Sequence, residues 1–354
     1  EIRMMELSAE YLERKEEIDQ AIQQVLNSGE FIRGKAISQF EEHLSRYLDI
    51  RHVISCGNGT DALQIALMAI GICAGDEVII PAFSYAAVAE VVCLLGAIPV
   101  FIDVDKDYFQ LDDQQLEALI TEKTKAIIPV HLFGQCANMD HVLAIAAKHH
   151  LYVIEDSAQA IGAFYTSGSG NKKPLGGVGH IGCTSFFPTK NLACYGDGGA
   201  LLTNDPTLAE KIRMIANHGQ RKRYEHEIIG VNSRLDTLQA AVLEVNLKHL
   251  PAALERKKEI AELYIRELSK GESTYCYLTG FGDTSKDYNI RIENRKTGAS
   301  VRITDDQPIV QLAFWSIATV VCPEPYIRIK AEPGKEFAWK ITYDYYVQPQ
   351  AASR

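Results

Sequence analysis

The sequence has no cysteine pair at C-x-x-C spacing and no His/Cys pattern suited to zinc; its eight cysteines, at 56, 73, 93, 136, 183, 194, 276 and 322, are scattered. A disulfide framework and a structural zinc site are therefore excluded, no metal is expected, and free thiols in a reducing cytosol are. No run of about 18 apolar residues occurs, since even the stretch from Ala86 to Val100 is interrupted by Glu90 and Gly96. The first residues, Glu1-Ile2-Arg3-Met4-Met5-Glu6, lack the basic-then-apolar order of a secretory signal. The expectation is a cytoplasmic protein with no membrane segment. Basic charge is also short: 36 Lys and Arg against 46 Asp and Glu leave a formal charge of -10. Nucleic acid and anionic membranes are thus not expected partners, and any anionic ligand must be met by a local pocket. A P-loop lysine and the three-glycine dinucleotide turn are missing, which argues against a nicotinamide oxidoreductase.

What is present is an ordinary globular composition, 47% hydrophobic and 23% charged, over 354 residues. That length accommodates a large α/β domain and a smaller companion. From Ala9 to Tyr47 apolar residues recur at helical spacing, broken by a loop at Ser28 to Gly34. Strand and helix then alternate. Strands are predicted at His52 to Cys56, Glu77 to Ile80, Ile98 to Val104, Thr124 to Val130, Tyr152 to Glu155, Gly179 to Phe187 and Gly199 to Thr203. Helices are predicted at Asp61 to Ile72, Tyr85 to Leu95, Gln114 to Ile120, Met139 to His149, Thr207 to Asn217 and Asp236 to Leu268, with Pro251 marking a break or a helix start. This rhythm predicts a mostly parallel sheet between helices. Beyond Glu272 the pattern changes to an antiparallel β-rich tail, with strands at Tyr288 to Ile292, Ser300 to Thr304, Ile309 to Val321, Tyr326 to Ala331 and Phe337 to Val347.

Three stretches carry candidate chemistry. Gly57-Asn58-Gly59-Thr60-Asp61 falls between a strand and a helix, where free N–H groups, the positive helix end and the Thr60 hydroxyl suit a phosphate; a plain tight turn is the alternative. Asp156 lies at the carboxyl end of a buried strand, where ligands of open α/β sheets bind. A carboxylate there can keep a pyridine nitrogen protonated, or it can cap the next turn. Lys190 follows Ser185-Phe186-Phe187-Pro188-Thr189 and precedes Gly196-Asp197-Gly198-Gly199, a setting that can desolvate a lysine enough to react with an aldehyde; a solvated surface charge is the other reading.

Gly57 to Leu63, Asp156-x-x-Gln159, Ser185-x-x-x-x-Lys190 and Gly230-Val231-Asn232-Ser233-Arg234-Leu235-Asp236-x-x-Gln239 together resemble the DegT-like sugar aminotransferases, a fold-type-I pyridoxal-phosphate family, from about Ile2 to about Lys270. The resemblance implies a cofactor-binding large domain over 1–245 and a small C-terminal region over 246–354. It implies that Lys190 is the Schiff-base and proton-transfer lysine, that Asp156 pairs with the pyridine nitrogen, that Gln159 bonds the ring hydroxyl and that Tyr85 stacks on the ring. Gly59, Thr60 and Ser185 would hold the phosphate, and Asn232 would reach the phosphate of the neighbouring subunit's cofactor in a homodimer. Phe31, Arg33, His218, Arg223 and Tyr224 fall where the family meets its nucleotide-linked keto-sugar. A related branch dehydrates sugars with histidine in the lysine's place, so Lys190 favours amino transfer, with glutamate as donor, in aminosugar and surface polysaccharide biosynthesis. The tail departs from the family: Ala313 to Pro325 with Glu332 to Phe337 is similar to a β-sandwich of the aldose-epimerase-like type. The alternative function is therefore a catalytically impaired cofactor- or carbohydrate-binding fusion protein.

Overall fold

The structure is a computed structural model that describes residues 7–106, 108–270, 274–278, 289–293, 299–305, 309–317, 320–327 and 341–347, with side chains as far as Glu262. The chain divides into two compact units, one spanning Leu7–Glu255 and one from Arg256 onward.

In chain order the first unit begins with α1 (Leu7–Glu13), α2 (Lys15–Ser28), α3 (Lys35–Leu48), β1 (His52–Cys56), α4 (Gly59–Ile70), β2 (Glu77–Pro81), α5 (Ala87–Leu94) and β3 (Ile98–Ile102). Next come β4 (Thr124–Ile127), α6 (Met139–His149), β5 (Tyr152–Asp156), the hairpin β6 (Phe164–Thr166) and β7 (Lys172–Pro174), β8 (Ile181–Ser185), β9 (Gly199–Thr203) and α7 (Pro206–Ile215). The hairpin β10 (Gln220–Lys222) and β11 (Glu225–His226) leads into α8 (Thr237–Lys270). Seven strands form one sheet in the order β1-β9-β8-β5-β4-β2-β3. β8, β5, β4, β2 and β3 pair in parallel, and β9 runs against both of its neighbours. The expected mostly parallel sheet between helices is therefore what forms.

Its strands read as near-continuous apolar runs because both faces are covered. Successive side chains point to opposite faces, so Ile54, Val78, Ile80, Ile154 and Leu201 pack with α4, α5 and α7, while Val53 and Leu202 pack with Phe40, Leu44 and Leu243 of α3 and α8. On that same second side Ile79, Ile127 and Val153 meet Met139, Val142 and Ile145 of α6.

Several boundaries differ from the sequence reading. Gln114 to Ile120 is a single 3-10 turn at Leu116–Leu119 rather than a helix, its start spent on Asp112 capping turns that take the Gln114 amide. The strand expected to run to Val104 stops at Ile102, and Val104 instead bridges Leu111 across a short loop. Pro251 stands inside a continuous α8; lacking an N–H, it forgoes one helical hydrogen bond without ending the helix.

Past Arg256 the described strands are β12 (Thr274–Leu278), β13 (Asn289–Glu293), β14 (Ala299–Asp305), β15 (Ile309–Ile317), β16 (Val320–Ile327) and β17 (Ile341–Val347). They pair antiparallel as two three-stranded sheets, β12-β15-β16 and β13-β14-β17. The apolar run Ile309 to Val321, read as one strand, is two, paired from Ile317 with Val320 outward. The Glu332-Pro333-Gly334 turn, Phe337 and Trp339 lie outside the described residues.

Candidate active site

Parallel strands bring their carboxyl ends to one edge of the sheet, and the loops that follow them meet there. In this chain those loops are Gly57–Thr60 after β1, Ala82–Ala86 after β2, His131–Gly134 after β4, Asp156–Gln159 at the end of β5 and the Ser185–Lys190 segment at the end of β8. Because β9 is reversed, its first residue, Gly199, joins them, level with Cys56 on one side and Ser185 on the other.

The start of α4 is tightly built. Asn58 caps it, its side chain accepting the Asp61 N–H at 2.8 Å. The Gly59 and Thr60 amides of the first turn have no acceptor among the described residues. A Cβ on Gly59 would stand 2.8 Å from Ser185 Cβ, so this helix start and the Ser185 hydroxyl face one small volume with several donors. Gly199 presses from below, where a Cβ would lie 2.5 Å from the Asn58 carbonyl. Gly199→Ala is expected to cost about 1–3 kcal/mol of stability, since backbone must shift to admit the methyl; urea unfolding measures it, and an unchanged midpoint would contradict the close approach.

Asp156 is buried, and its only side-chain donor among the described residues is the Ala158 N–H at 3.1 Å. Burial pushes its carboxyl up, while that N–H and the charge of Lys190 pull it back. A buried acid so sparsely paired suits a cationic partner such as a pyridinium. Lys190, half-buried, ends a turn closed by its own N–H on the Phe187 carbonyl at 2.8 Å. That turn is anchored by Phe186, which is fully buried edge-on against Phe40 at 5.3 Å and donates its N–H to Gly198. Gln159 is exposed and accepts the Phe133 N–H through Oε1 at 2.7 Å, and Tyr85 is exposed in the loop after β2. Burial raises the thiols of Cys56, Cys183 and Cys194, the last to about 11, so none of them is a nucleophile here.

Asn232 is exposed between two anchored neighbours. Val231 exchanges backbone hydrogen bonds with Ile215 and His218, and the buried Ser233 hydroxyl takes the Gly57 N–H at 2.9 Å and donates to Asp61 at 2.6 Å. Thr237 pins the loop bearing Phe31 and Arg33, donating its N–H to the Phe31 carbonyl and accepting the Gly34 N–H. Phe31 is left exposed, and Arg33, in the left-handed region at φ 56°, lines a cavity of about 510 Å³ with Asn217, Gln220, Arg221 and Arg234. None of its lining residues is Lys190, Asp156 or Ser185. His218, which does not line that cavity, lies in the turn between Asn217 and Gln220, and its carbonyl accepts from the His226 ring. Arg223 stacks over Tyr224 at 5.0 Å at the exposed tip of the β10–β11 hairpin. Thus the structure brings the strand-end residues Gly59, Asp156, Ser185 and Lys190 to one sheet edge, whereas of the expected substrate residues only Arg33 lines the cavity, and Phe31, His218, Arg223 and Tyr224 do not. The sequence reading assigned no role to Ser233, Thr237 or the fully buried His131 and Glu155. Among the described residues no helix is long and apolar enough to cross a membrane, and no three His, Cys, Asp or Glu side chains gather as a metal site.

Residues 12–301 match the model of the DegT/DnrJ/EryC1/StrS aminotransferase family. A UDP-2-acetamido-2-deoxy-3-oxo-D-glucuronate aminotransferase of Pseudomonas aeruginosa is 46% identical over 297 residues, 84% of this chain and 81% of its own. A DegT DnrJ EryC1 StrS aminotransferase from Brucella abortus superposes with a TM-score of 0.73 at 43% identity, covering 77% of this chain and 74% of its own. DesV of S. venezuelae, in complex with a ketimine intermediate, follows at 0.72 and 39%, covering 82% and 78%. The acid, lysine and phosphate-type cradle at the sheet edge fit pyridoxal 5'-phosphate, the cofactor this family uses, and the chain belongs to the DegT/DnrJ/EryC1/StrS family of pyridoxal-phosphate-dependent sugar aminotransferases.

Proposed function

We propose that this chain moves an amino group from glutamate to a keto carbon of a nucleotide-linked sugar, working as a cytoplasmic homodimer with two shared active sites. The observation that carries this reading is the convergence of Asp156, Lys190, Ser185 and the α4 start on one sheet edge. Gly59, Thr60 and Ser185 hold the phosphate, Gln159 meets the ring hydroxyl, Tyr85 covers one ring face and Asp156 keeps the ring nitrogen protonated. When bound, pyridoxal phosphate supplies an electron sink and a carrier for the amino group. Lys190 Nζ does the proton work: it removes the proton from the donor's α-carbon and, in the second half-reaction, returns one to the sugar carbon that receives nitrogen. Residues 1–245 make up the cofactor-binding large domain.

Asn232, Phe31, Arg33, His218, Arg223 and Tyr224 serve the second copy. Asn232 reaches the phosphate in the neighbouring subunit, and the other five contact the nucleotide sugar. The outward Asn232 between fixed neighbours, and a basic cavity that Lys190 does not line, support a site completed across two chains. The Pseudomonas aeruginosa relative's substrate, a 3-oxo UDP-linked glucuronate derivative, supports an N-acetylhexosaminuronic acid of that kind as first substrate, with 4-oxo-6-deoxy sugars second. The test is a two-step assay. Glutamate should convert the pyridoxal form to the pyridoxamine form, which a panel of keto-sugar nucleotides then discharges. No conversion by glutamate removes the donor assignment, and no discharge by any keto-sugar removes the acceptor class.

A further inference from the structure

Glu155 and His131 are both fully buried, yet no step of the amino transfer uses either one. Glu155 neighbours Asp156 on β5, and strand alternation turns it to the opposite face, into the core. A carboxylate there must be satisfied. It is: Oε1 accepts the Val178 and Gly179 N–H groups at 2.8 and 2.6 Å, and Oε2 accepts the Gly176 N–H at 2.9 Å and the His131 ring at 2.8 Å. The other ring nitrogen faces the Ala137 N–H at 3.4 Å, which can only donate. His131 therefore presents a bare Nδ1 to Ala137 and its Nε2–H to Glu155.

From this clamp the chain enters the turn Leu132–Gly134. Phe133 there is left-handed, at φ 59° and ψ 16°, and Gly134 follows at φ 81°. A left-handed Phe is strained, and the residue, 70% exposed, gains little burial in return. What holds the turn is the clamped His131 before it, the buried Leu132, and the Gln110 amide, which donates to the Leu132 carbonyl at 3.4 Å. What the turn delivers is one N–H, from Phe133 to Gln159. An N–H can only donate, so the Gln159 end it meets is the oxygen, and the NH₂ end is turned away.

We propose that His131, clamped by the Glu155 carboxylate, is a positioning residue that fixes the donor end of Gln159 toward the cofactor's ring hydroxyl. The inference rests on the assignment of Gln159 made above. Without the clamp the Phe133 turn relaxes out of the left-handed region, and its N–H leaves Gln159 free to flip.

The experiment is a mutant cycle on the full-length chain. It is read by the dissociation constant for pyridoxal phosphate and by the position of the bound cofactor's visible absorption band, with thermal unfolding of the cofactor-free protein alongside. His131→Leu should weaken cofactor binding roughly tenfold and shift the band in the same sense as Gln159→Ala. His131→Gln, whose amide can reach Glu155, should stay within about twofold of wild type, and adding His131→Leu to Gln159→Ala should cost no more than about twofold further. Effects that multiply to about a hundredfold in the double variant, or a His131→Leu protein with wild-type binding and band, would overturn the proposal. Should His131→Leu fail to fold, Gln159→Glu decides. One carboxylate oxygen would take the Phe133 N–H and the other would oppose the ring oxygen, so binding weaker than in Gln159→Ala is expected, and equal or tighter binding overturns the proposal. A wild-type protein with no visible band on adding cofactor would instead sink the site assignment, and this inference with it.

Discussion

Lys190→Ala is expected to lose amino transfer by at least about three orders of magnitude and to lose the visible absorption of the bound cofactor. Both effects come from one amine. Lys190 is the lysine on the turn between Ser185 and Gly199, and its charge is felt at Asp156. No other lysine lies between Lys173 and Lys211, so none can take its place from the same loop. Cofactor should remain weakly held, because the α4 start, Ser185 and Asp156 are untouched. Single-turnover kinetics with glutamate measure the loss, and turnover surviving without an added amine would overturn the assignment.

Asp156→Asn should separate activity from stability. Rate should fall on the order of a hundredfold or more, since a neutral partner no longer holds the ring nitrogen protonated. The cofactor-free protein should move the other way. Burial is the largest influence on the Asp156 carboxyl and raises its pKa, so the proton binds more tightly in the folded state than in the unfolded chain. Keeping the group ionised therefore costs stability, in full above the raised pKa, and the cost is relieved as pH falls through that raised value toward the unfolded one. Asparagine carries no such cost. The mutant should melt above wild type at neutral pH, and the gap should close as the pH is lowered. Wild-type turnover would refute the role in the reaction, and a lower melting temperature at neutral pH would refute the balance of burial over attraction.

The parallel sheet was legible because its strands are apolar on both faces and are spaced by helices with their own periodicity, as predicted at His52 to Cys56, Asp61 to Ile72 and Glu77 to Ile80 and found at His52–Cys56, Gly59–Ile70 and Glu77–Pro81. Gly59, Asp156, Ser185 and Lys190 could be singled out because each falls at or within a few residues of the carboxyl end of such a strand, and the topology then sends every such position to the same edge. Two kinds of feature were not. The end of β15 falls at Ser316-Ile317, where no Gly, Pro or Asn announces a turn, so the run to Val321 reads as one strand. The Glu155–His131 pair joins β5 to the loop after β4, and neither residue carries a motif. A physical signal was nevertheless present: if Asp156 faces the crevice, alternation sends Glu155 into the core, where a carboxylate needs partners. Phe31, Arg33, Arg223 and Tyr224 could be named but not located, because loop positions follow from anchors such as Thr237 that only the folded chain reveals.

The reversed direction of β9 has a consequence for how the lysine works. Since Ser185 and Gly199 pair across adjacent strands, the segment bearing Lys190 is a closed loop, cinched again where Phe186 donates to Gly198 and Cys194 donates to Phe186. An amine that must release its partner and find it again in each half-cycle is governed by effective concentration: the smaller the volume its tether lets it explore, the faster the return. Two ladder-bound ends and a buried Phe186 keep that volume small without freezing the side chain itself. Lengthening the Asn191–Gly198 stretch should therefore slow recapture of the lysine while leaving every residue that touches the cofactor in place.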